Sequence, residues 1–240
     1  MAHRGGALHP DNIGYENSMH AFAHAVSLGY RYLETDLHAT RDGVVVAFHD
    51  HRLDRVTDRT GVIAELPWSE VSKARINGHE PIPLLSDLLE QWPEVRLNLD
   101  IKAANGVGPA AEVLRRTAAI DRVCVSSFSQ DRVQRIRREL GERLATGFGK
   151  NEVARLRFAP FLPVPCSAGA CVQIPEGFGR IKVLTPGLIR RAHAAGRQVH
   201  VWTVDDPAAM HRLLDAGVDG LITDRTDLLR DVLIKRGEWT

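Results

Sequence analysis

Apolar positions along the chain fall into two alternating patterns. Runs of strand length cover a short stretch around His3, then Tyr32 to His38, Val44 to His49, Val95 to Lys102 and Val123 to Ser127. Further runs cover Leu144 to Phe148, Ala170 to Ile174, Val199 to Val204 and Val218 to Thr223. Between them lie segments of helical period: Asn17 to Leu28, Leu85 to Gln91, Pro109 to Ala119, Gln130 to Leu140, Glu152 to Arg157, Pro186 to Ala195, Pro207 to Ala216 and Asp227 to Lys235. Asn17 or Ser18, Asp205 or Asp206 before Pro207, and Asp224 stand where helix N-caps belong. Gly29, Gly141, Gly196 and Gly217 stand where helices stop. Repeated strand–helix alternation predicts parallel strands joined by right-handed crossovers. About eight strands in a chain of 240 residues predict an α/β fold of the TIM (β/α)8 barrel type, with an open doubly wound sheet as the alternative. The whole chain, 1–240, reads as one barrel domain. Residues 50–84 break the rhythm with turn signals, one short amphipathic piece around Trp68 to Ala74 and no clear strand. They are predicted to form a small insertion at the barrel rim, after the second strand region.

The polar positions inside the strands change the picture. Glu34 and Asp36 lie two apart, so their side chains share a face with like charges close together; Asn98, Asp100 and Lys102 repeat the pattern. Parallel barrel strands are covered on both faces, so charge within them is anomalous unless it is paired, metal-bound or at the open mouth. Three carboxylates beside one lysine suit a hard divalent cation with oxygen ligands, Mg2+ or Ca2+ with Mn2+ also possible. A salt-bridge network at the mouth accounts for the same spacing equally well. His3 and His49 end strand-like runs, which offers one proton acceptor and one donor near neutral pH, and Arg4 beside His3 can hold an anion through its planar fork. Together these groups suit displacement at a phosphate diester.

Composition narrows the field. With 31 Lys and Arg against 30 Asp and Glu, the net charge of +1 shows no basic footprint of a nucleic-acid binder, so a small molecule is the expected partner. Oligomeric state leaves no signature. No apolar run approaches a membrane span, and neither a membrane anchor nor a leader is expected from a sequence opening on Met1-Ala2-His3-Arg4. Cys124, Cys166 and Cys171 lack metal-type spacing and read as reduced thiols of a cytoplasmic protein. Gly-rich phosphate loops and the Gly-x-Ser-x-Gly elbow are missing from the sequence, which argues against nucleotide hydrolysis and a serine hydrolase.

The motifs Ala2-His3-Arg4-Gly5-Gly6, Glu16-Asn17-Ser18 with Ala21-Phe22, Leu33-Glu34-Thr35-Asp36, and Thr40-Arg41-Asp42-Gly43 open an ordered series. Phe48-His49-Asp50 with Leu53-Asp54-Arg55 and Thr57, Leu99-Asp100-Ile101-Lys102, Val201-Trp202-Thr203-Val204 and Gly217 to Asp224 complete it. In this series the chain resembles the glycerophosphodiester phosphodiesterases, which are metal-dependent TIM barrels. The resemblance implies that Glu34, Asp36 and Asp100 bind the metal, that His3 and His49 are the acid–base pair, that Arg4 and Lys102 contact phosphate, and that Trp202 shapes the pocket. It implies hydrolysis of a glycerophosphodiester to an alcohol and sn-glycerol 3-phosphate. Asp100 stands where that pattern often has Glu, one methylene shorter, and Tyr15 stands where proline usually precedes Glu-Asn.

Other residues carry two readings. Glu16 pairs with Arg4 across the mouth or favours the start of the first helix, and Gln173 meets substrate or packs in the core with a satisfied amide. His38 is expected at the surface rather than as a ligand. The apolar segment 158–165 is expected to cover a barrel edge; if it lined an acyl pocket, lysophospholipids would be substrates, as for a lysophospholipase D. A catalytically silent phosphodiester-binding barrel is the third possibility.

Overall fold

The computed structural model describes residues 1–159, 161–164 and 169–239. Its strands are β1 (Ala2–His3), β2 (Tyr32–Ala39), β3 (Val45–Ala47), β4 (Arg75–Ile76), β5 (Glu80–Pro81), β6 (Arg96–Ile101), β7 (Val123–Ser126), β8 (Ala145–Thr146), β9 (Cys171–Ile174), β10 (Gly177–Phe178), β11 (Ile181–Lys182), β12 (Gln198–Val201) and β13 (Gly220–Leu221). Helices α1 (Met19–Ser27), α2 (Trp68–Val71), α3 (Leu85–Gln91), α4 (Val107–Arg116), α5 (Gln130–Leu140), α6 (Lys150–Phe158), α7 (Pro186–Ala194), α8 (Pro207–Asp215) and α9 (Thr226–Arg236) alternate with them. Parallel ladders join β1, β2, β6, β7 and β8 in one arc and β9, β12 and β13 in another. Single parallel bridges, Gly147 to Cys171 and Ala2 to Thr223, connect the arcs in sequence order, as a TIM barrel requires.

The alternation of residues explains the layers. Leu33, Leu37, Leu97, Leu99, Ile101, Val123 and Val125 belong to one buried cluster with Phe22 and Ala25 of α1, Leu85, Leu88 and Leu89 of α3, and Ala110, Ala111 and Leu114 of α4. The intervening positions of β2 and β6, Glu34, Asp36, Asn98 and Asp100, are equally buried but polar. The odd positions therefore hold the helices on, and the even positions line the mouth.

Ser18 caps α1, its Oγ accepting from Ala21 N at 3.2 Å, and Asp206 caps α8 at 2.8 Å from Ala209 N. Helix α4 begins ahead of the expected Pro109 because the turn Ala104–Gly106 runs straight into it, leaving the proline in the first turn where no intrahelical N–H is required.

Several expectations are corrected. The run Val44 to His49 is not a ring strand: β3 runs antiparallel to β2, pairing Leu37 with Ala47 and Ala39 with Val45. His38 is not on the surface, because β2 continues to Ala39 and is covered by this hairpin, which leaves His38 5% exposed. Residues 50–84 do contain strands, the short antiparallel pair β4–β5, and with Val46 and Phe48 they build a second apolar cluster of Leu53, Ile63, Val71, Ala74, Ile76 and Ile82. Of the apolar segment after α6, Phe161 is 83% exposed and Val164 packs against the main apolar cluster. Pro160, Pro165 and Cys166 lie outside the described residues. The Sγ atoms of Cys124 and Cys171 are 3.6 Å apart as free thiols. Among the described residues no helix is long and apolar enough to cross a membrane.

At Gly5, φ is +84° and an added Cβ would lie 2.7 Å from Ala21 Cβ and 2.8 Å from the Ala21 carbonyl carbon. Gly5→Ala is therefore expected to cost about 2–5 kcal/mol, combining left-handed strain with overpacking against α1. Urea denaturation measures it; a loss within 0.5 kcal/mol, the range of an ordinary surface substitution, would show that the turn relaxes freely.

Candidate active site

The register of the first strands assembles the mouth. His3 pairs with Glu34 across β1 and β2, and Asp36 pairs with Asp100 across β2 and β6. After His3 the chain turns through three left-handed residues, Arg4 (φ 50°), Gly5 and Gly6 (φ 90°). Asn12 holds this turn, its Nδ2 donating to the Gly5 and Gly6 carbonyls at 3.1 Å each. A non-glycine residue in this region costs about 1–3 kcal/mol, and Arg4 is retained there by charge. Its backbone N donates to Glu34 Oε2 at 3.3 Å, its Nη1 to Glu16 Oε1 at 3.2 Å, and its Nε lies 3.2 Å from Asp36 Oδ2.

Three carboxylates meet two cations. Lys102 Nζ lies 2.8 Å from Asp36 Oδ1 and 2.6 Å from Asp100 Oδ2. Asn17 Nδ2 donates to Asp36 Oδ2 at 3.0 Å, and Asn17 Oδ1 accepts from Thr35 Oγ1 at 2.7 Å. Burial opposes ionisation of Asp36, but Lys102 and Arg4 outweigh it and hold its carboxyl below the usual range. Burial also dominates at Asp100, whose carboxyl stays above its usual value despite Lys102. Glu34 is pushed up to about 8, first by burial and then by Asp36. Asp100 Oδ1 is buried with no hydrogen-bond partner. The acids expected as one ligand set thus divide: Asp36 and Asp100 share Lys102, while Glu34 turns toward His3, 3.7 Å away, and Arg4. Their chemistry fits a hard cation, since an orphaned buried oxygen and an under-compensated carboxyl both lack positive charge.

Each histidine expected in catalysis has a carboxylate behind it. His3 Nδ1 stands 2.7 Å from Asp224 Oδ1, which leaves Nε2 toward Glu34. Burial alone would lower its pKa, but Asp224 and the charge of Glu34 prevail and raise it. His49 Nδ1 stands 2.7 Å from Asp50 Oδ1, and its carbonyl is 3.1 Å from His38 Nε2. Arg55 donates to Asp50 at 2.7 Å and to both oxygens of Glu16 at 2.8 and 2.7 Å, and its hydrogen bonds help hold Asp50 at about 2. An unbroken polar network therefore runs from Asp224 through His3, Glu34, Arg4, Glu16, Arg55 and Asp50 to His49. A cleft of about 520 Å3 opens beside it, lined by His38, His49, Asp50, Arg55 and Lys102 among others.

Trp202 follows β12, its ring 5.5 Å from that of Phe128, which in turn lies 5.9 Å from Lys102 Nζ. Gln173 faces the interior, its Nε2 donating to Asn98 Oδ1 at 2.9 Å and lying 3.3 Å from His200 Nδ1. Asp224, read as a helix cap, is not one: Arg225 occupies the N-cap of α9 with no side-chain cap, and Asp224 orients His3 instead. Asn17, Asp50 and Arg55, which stand in the motif series with no site role expected of them, also enter the site. Asp50 adjoins His49 in sequence, a signal that local reading could use; Asn17 and Arg55 act only through tertiary contact.

Two measurements probe these charges. Between its ordinary 4.5 and about 8, Glu34 holds a proton that the unfolded chain releases, and His3 with its raised pKa has the same sign. Stability of the metal-free chain should therefore fall as pH rises through this window, with Glu34→Gln flattening the slope; a Tm that is constant or rises there contradicts it. In Asp224→Asn, proton NMR should show the His3 titration midpoint moving down, and an unmoved midpoint would remove Asp224 as its cause.

Comparison with known proteins adds to this geometry. Residues 3–228 match the model of the Glycerophosphoryl diester phosphodiesterase family. A Mycobacterium tuberculosis protein named "Probable glycerophosphodiester phosphodiesterase 2" is 47% identical over 247 residues, spanning 100% of this chain and 92% of the relative. Human "Lysophospholipase D GDPD1" is 27% identical over 97% of this chain and 85% of its own length. Among solved structures, an Oleispira antarctica phosphodiesterase in complex with the product sn-glycerol-3-phosphate superposes with a TM-score of 0.79 at 22% identity, covering 97% of this chain and 95% of that one, and so shares the fold. The chain belongs to the glycerophosphoryl diester phosphodiesterase family.

Proposed function

We propose that this enzyme hydrolyses glycerophosphodiesters to an alcohol and sn-glycerol 3-phosphate, with His3 and His49 as the acid–base pair and one divalent cation held by Glu34, Asp36 and Asp100. The observation that carries this reading is the pair of imidazoles, each backed by a carboxylate at 2.7 Å, joined by one network to Arg4 and beside the cleft that Lys102 lines. The glycerol 3-phosphate product named for the Oleispira antarctica enzyme agrees with it. An all-oxygen donor set suits Mg2+, Ca2+ or Mn2+. A cation held by these residues would supply charge neutralisation and polarisation at the phosphoryl group.

The chain's own residues supply the rest. Lys102 and Arg4 offset the charge on the non-bridging oxygens. His49 accepts the proton of the attacking water or glycerol hydroxyl as its oxygen bonds to phosphorus. His3, whose protonated form Asp224 favours, donates a proton to the alcohol oxygen as the P–O bond breaks. Glu16 positions Arg4 and Arg55, and Trp202 with Phe128 forms the apolar side of the mouth. Gln173, engaged with Asn98, supports the interior rather than the substrate.

A second reading, cleavage of acylated substrates, is favoured by the name of the human relative and by the exposed Phe128 beside Trp202, not by the segment 158–165. A silent barrel does not suit a chain that keeps both histidines and all three acids.

Incubation with glycerophosphocholine and Mg2+ should release glycerol 3-phosphate, and chelator should abolish the release. His3→Ala and His49→Ala should each lower kcat about 10²–10⁴-fold. Undiminished turnover in excess chelator would remove the cation from the reaction, and wild-type kcat in either variant would remove that histidine. Comparing lysophosphatidylcholine with glycerophosphocholine by kcat/KM separates the two substrate readings.

A further inference from the structure

The segment between β1 and α1 holds a second group of ligating side chains. Among the described residues, His9, Asp11 and His24 are the three whose ligand atoms all lie within 4.8 Å of one another. Asp11 Oδ2 stands 3.9 Å from His9 Nδ1 and 3.8 Å from His24 Nε2. These separations are too long for hydrogen bonds, and a closure of about half an ångström by the exposed Asp11 side chain would bring them to the roughly 3.3 Å of a tetrahedral ion about 2 Å from each atom.

Protonation at His24 is set by a separate contact. Asn12 is fully buried, and its Nδ2 is committed to the Gly5 and Gly6 carbonyls, so the amide orientation is determined and Oδ1 is the acceptor. That oxygen lies 3.0 Å from His24 Nδ1, which must therefore carry the proton. The lone pair is left on Nε2, facing Asp11. Metal-bound histidines are oriented in this way, the far ring nitrogen donating to a fixed oxygen. Burial, and then His9, lower the His24 pKa and favour the neutral ring that a ligand requires. His9 Nδ1 accepts weakly from Asp11 N at 3.1 Å, a contact that an ion at that lone pair replaces.

We propose that His9, Asp11 and His24 form a binding site for a borderline divalent ion of the Zn2+ class, separate from the carboxylates of the barrel mouth. Two imidazoles and one carboxylate select Zn2+, Co2+ or Ni2+ over Mg2+ and Ca2+. Asp11 is 74% exposed at its side chain, so water completes the shell. Through Asn12 the ion is coupled to the Gly5–Gly6 turn that presents Arg4, and it clamps this turn to α1.

Titration of the metal-stripped full chain with Co2+ tests this. The expected result is a visible absorption spectrum of four-coordinate cobalt saturating at one equivalent, displaced by Zn2+ but not by Mg2+, together with a rise in Tm. Asp11→Ala and His24→Ala should each weaken Zn2+ binding at least about tenfold. Asp11, being exposed, can be removed without disturbing the fold, as an unchanged metal-free Tm will show. Asp36→Asn should leave the cobalt spectrum intact. A wild-type chain with no such spectrum, either ligand variant binding as tightly as wild type, or loss of the spectrum in Asp36→Asn would overturn the proposal.

Discussion

Asp36 and Asp100 stand opposite one another on adjacent strands, with Glu34 one step away on the same face, and all three are buried. Directly opposed like charges destabilise a sheet, and burial multiplies the penalty because little water screens them. The surrounding structure is arranged to offset this. Lys102 bridges two of the acids, Arg4 reaches the third and Asp36, and Asn17 donates to Asp36. Even so, Asp100 Oδ1 lacks a partner and Glu34 is left proton-hungry. A mouth built only for stability would have used apolar residues there, as the opposite face of the same strands does. The residual demand for positive charge is what the proposed cation and anionic substrate would meet.

That demand also explains the local geometry. Arg4 reaches Glu34 with its backbone and Asp36 with its side chain in a left-handed conformation, and two left-handed glycines follow it on the way to α1. His49 arrives at the same level by a different route. The β2–β3 hairpin reverses the chain at the rim, and Phe48 N then bonds to Asp36 O at 2.9 Å. The two imidazoles come from opposite directions along the barrel axis, and the Glu16–Arg55–Asp50 ion pairs tie them together. These pairs are partly exposed and contribute little to global stability, so their role is orientation.

The strand–helix alternation was legible because the periods of two and 3.6 differ sharply, and the even-numbered acids of β2 and β6 were legible as a violation of that pattern. What escaped local reading involves contacts distant in sequence. Asp224 is 221 residues from His3, and local rules could only assign it to the adjacent helix. The surface expectation for His38 fails because β2 runs on to Ala39 and β3 covers it from across a turn. His49 was assigned to the correct rim by a wrong argument, as the end of a parallel strand. The β4–β5 pair escaped because two-residue strands have no period to detect.

Family membership and site geometry carry different parts of the functional conclusion. Membership is a property of the whole chain and names the reaction class, but it does not orient one proton. Orientation comes from the carboxylates behind His3 and His49, and the two differ physically. Burial alone would lower the His3 pKa, but the hydrogen bond and charge of Asp224 in this partly buried setting help to raise it. Asp50 is itself paired with Arg55, which fixes its carboxylate behind the His49 ring. In the reaction proposed for this site, that difference in pairing would assign His3 the role of proton donor and His49 that of acceptor.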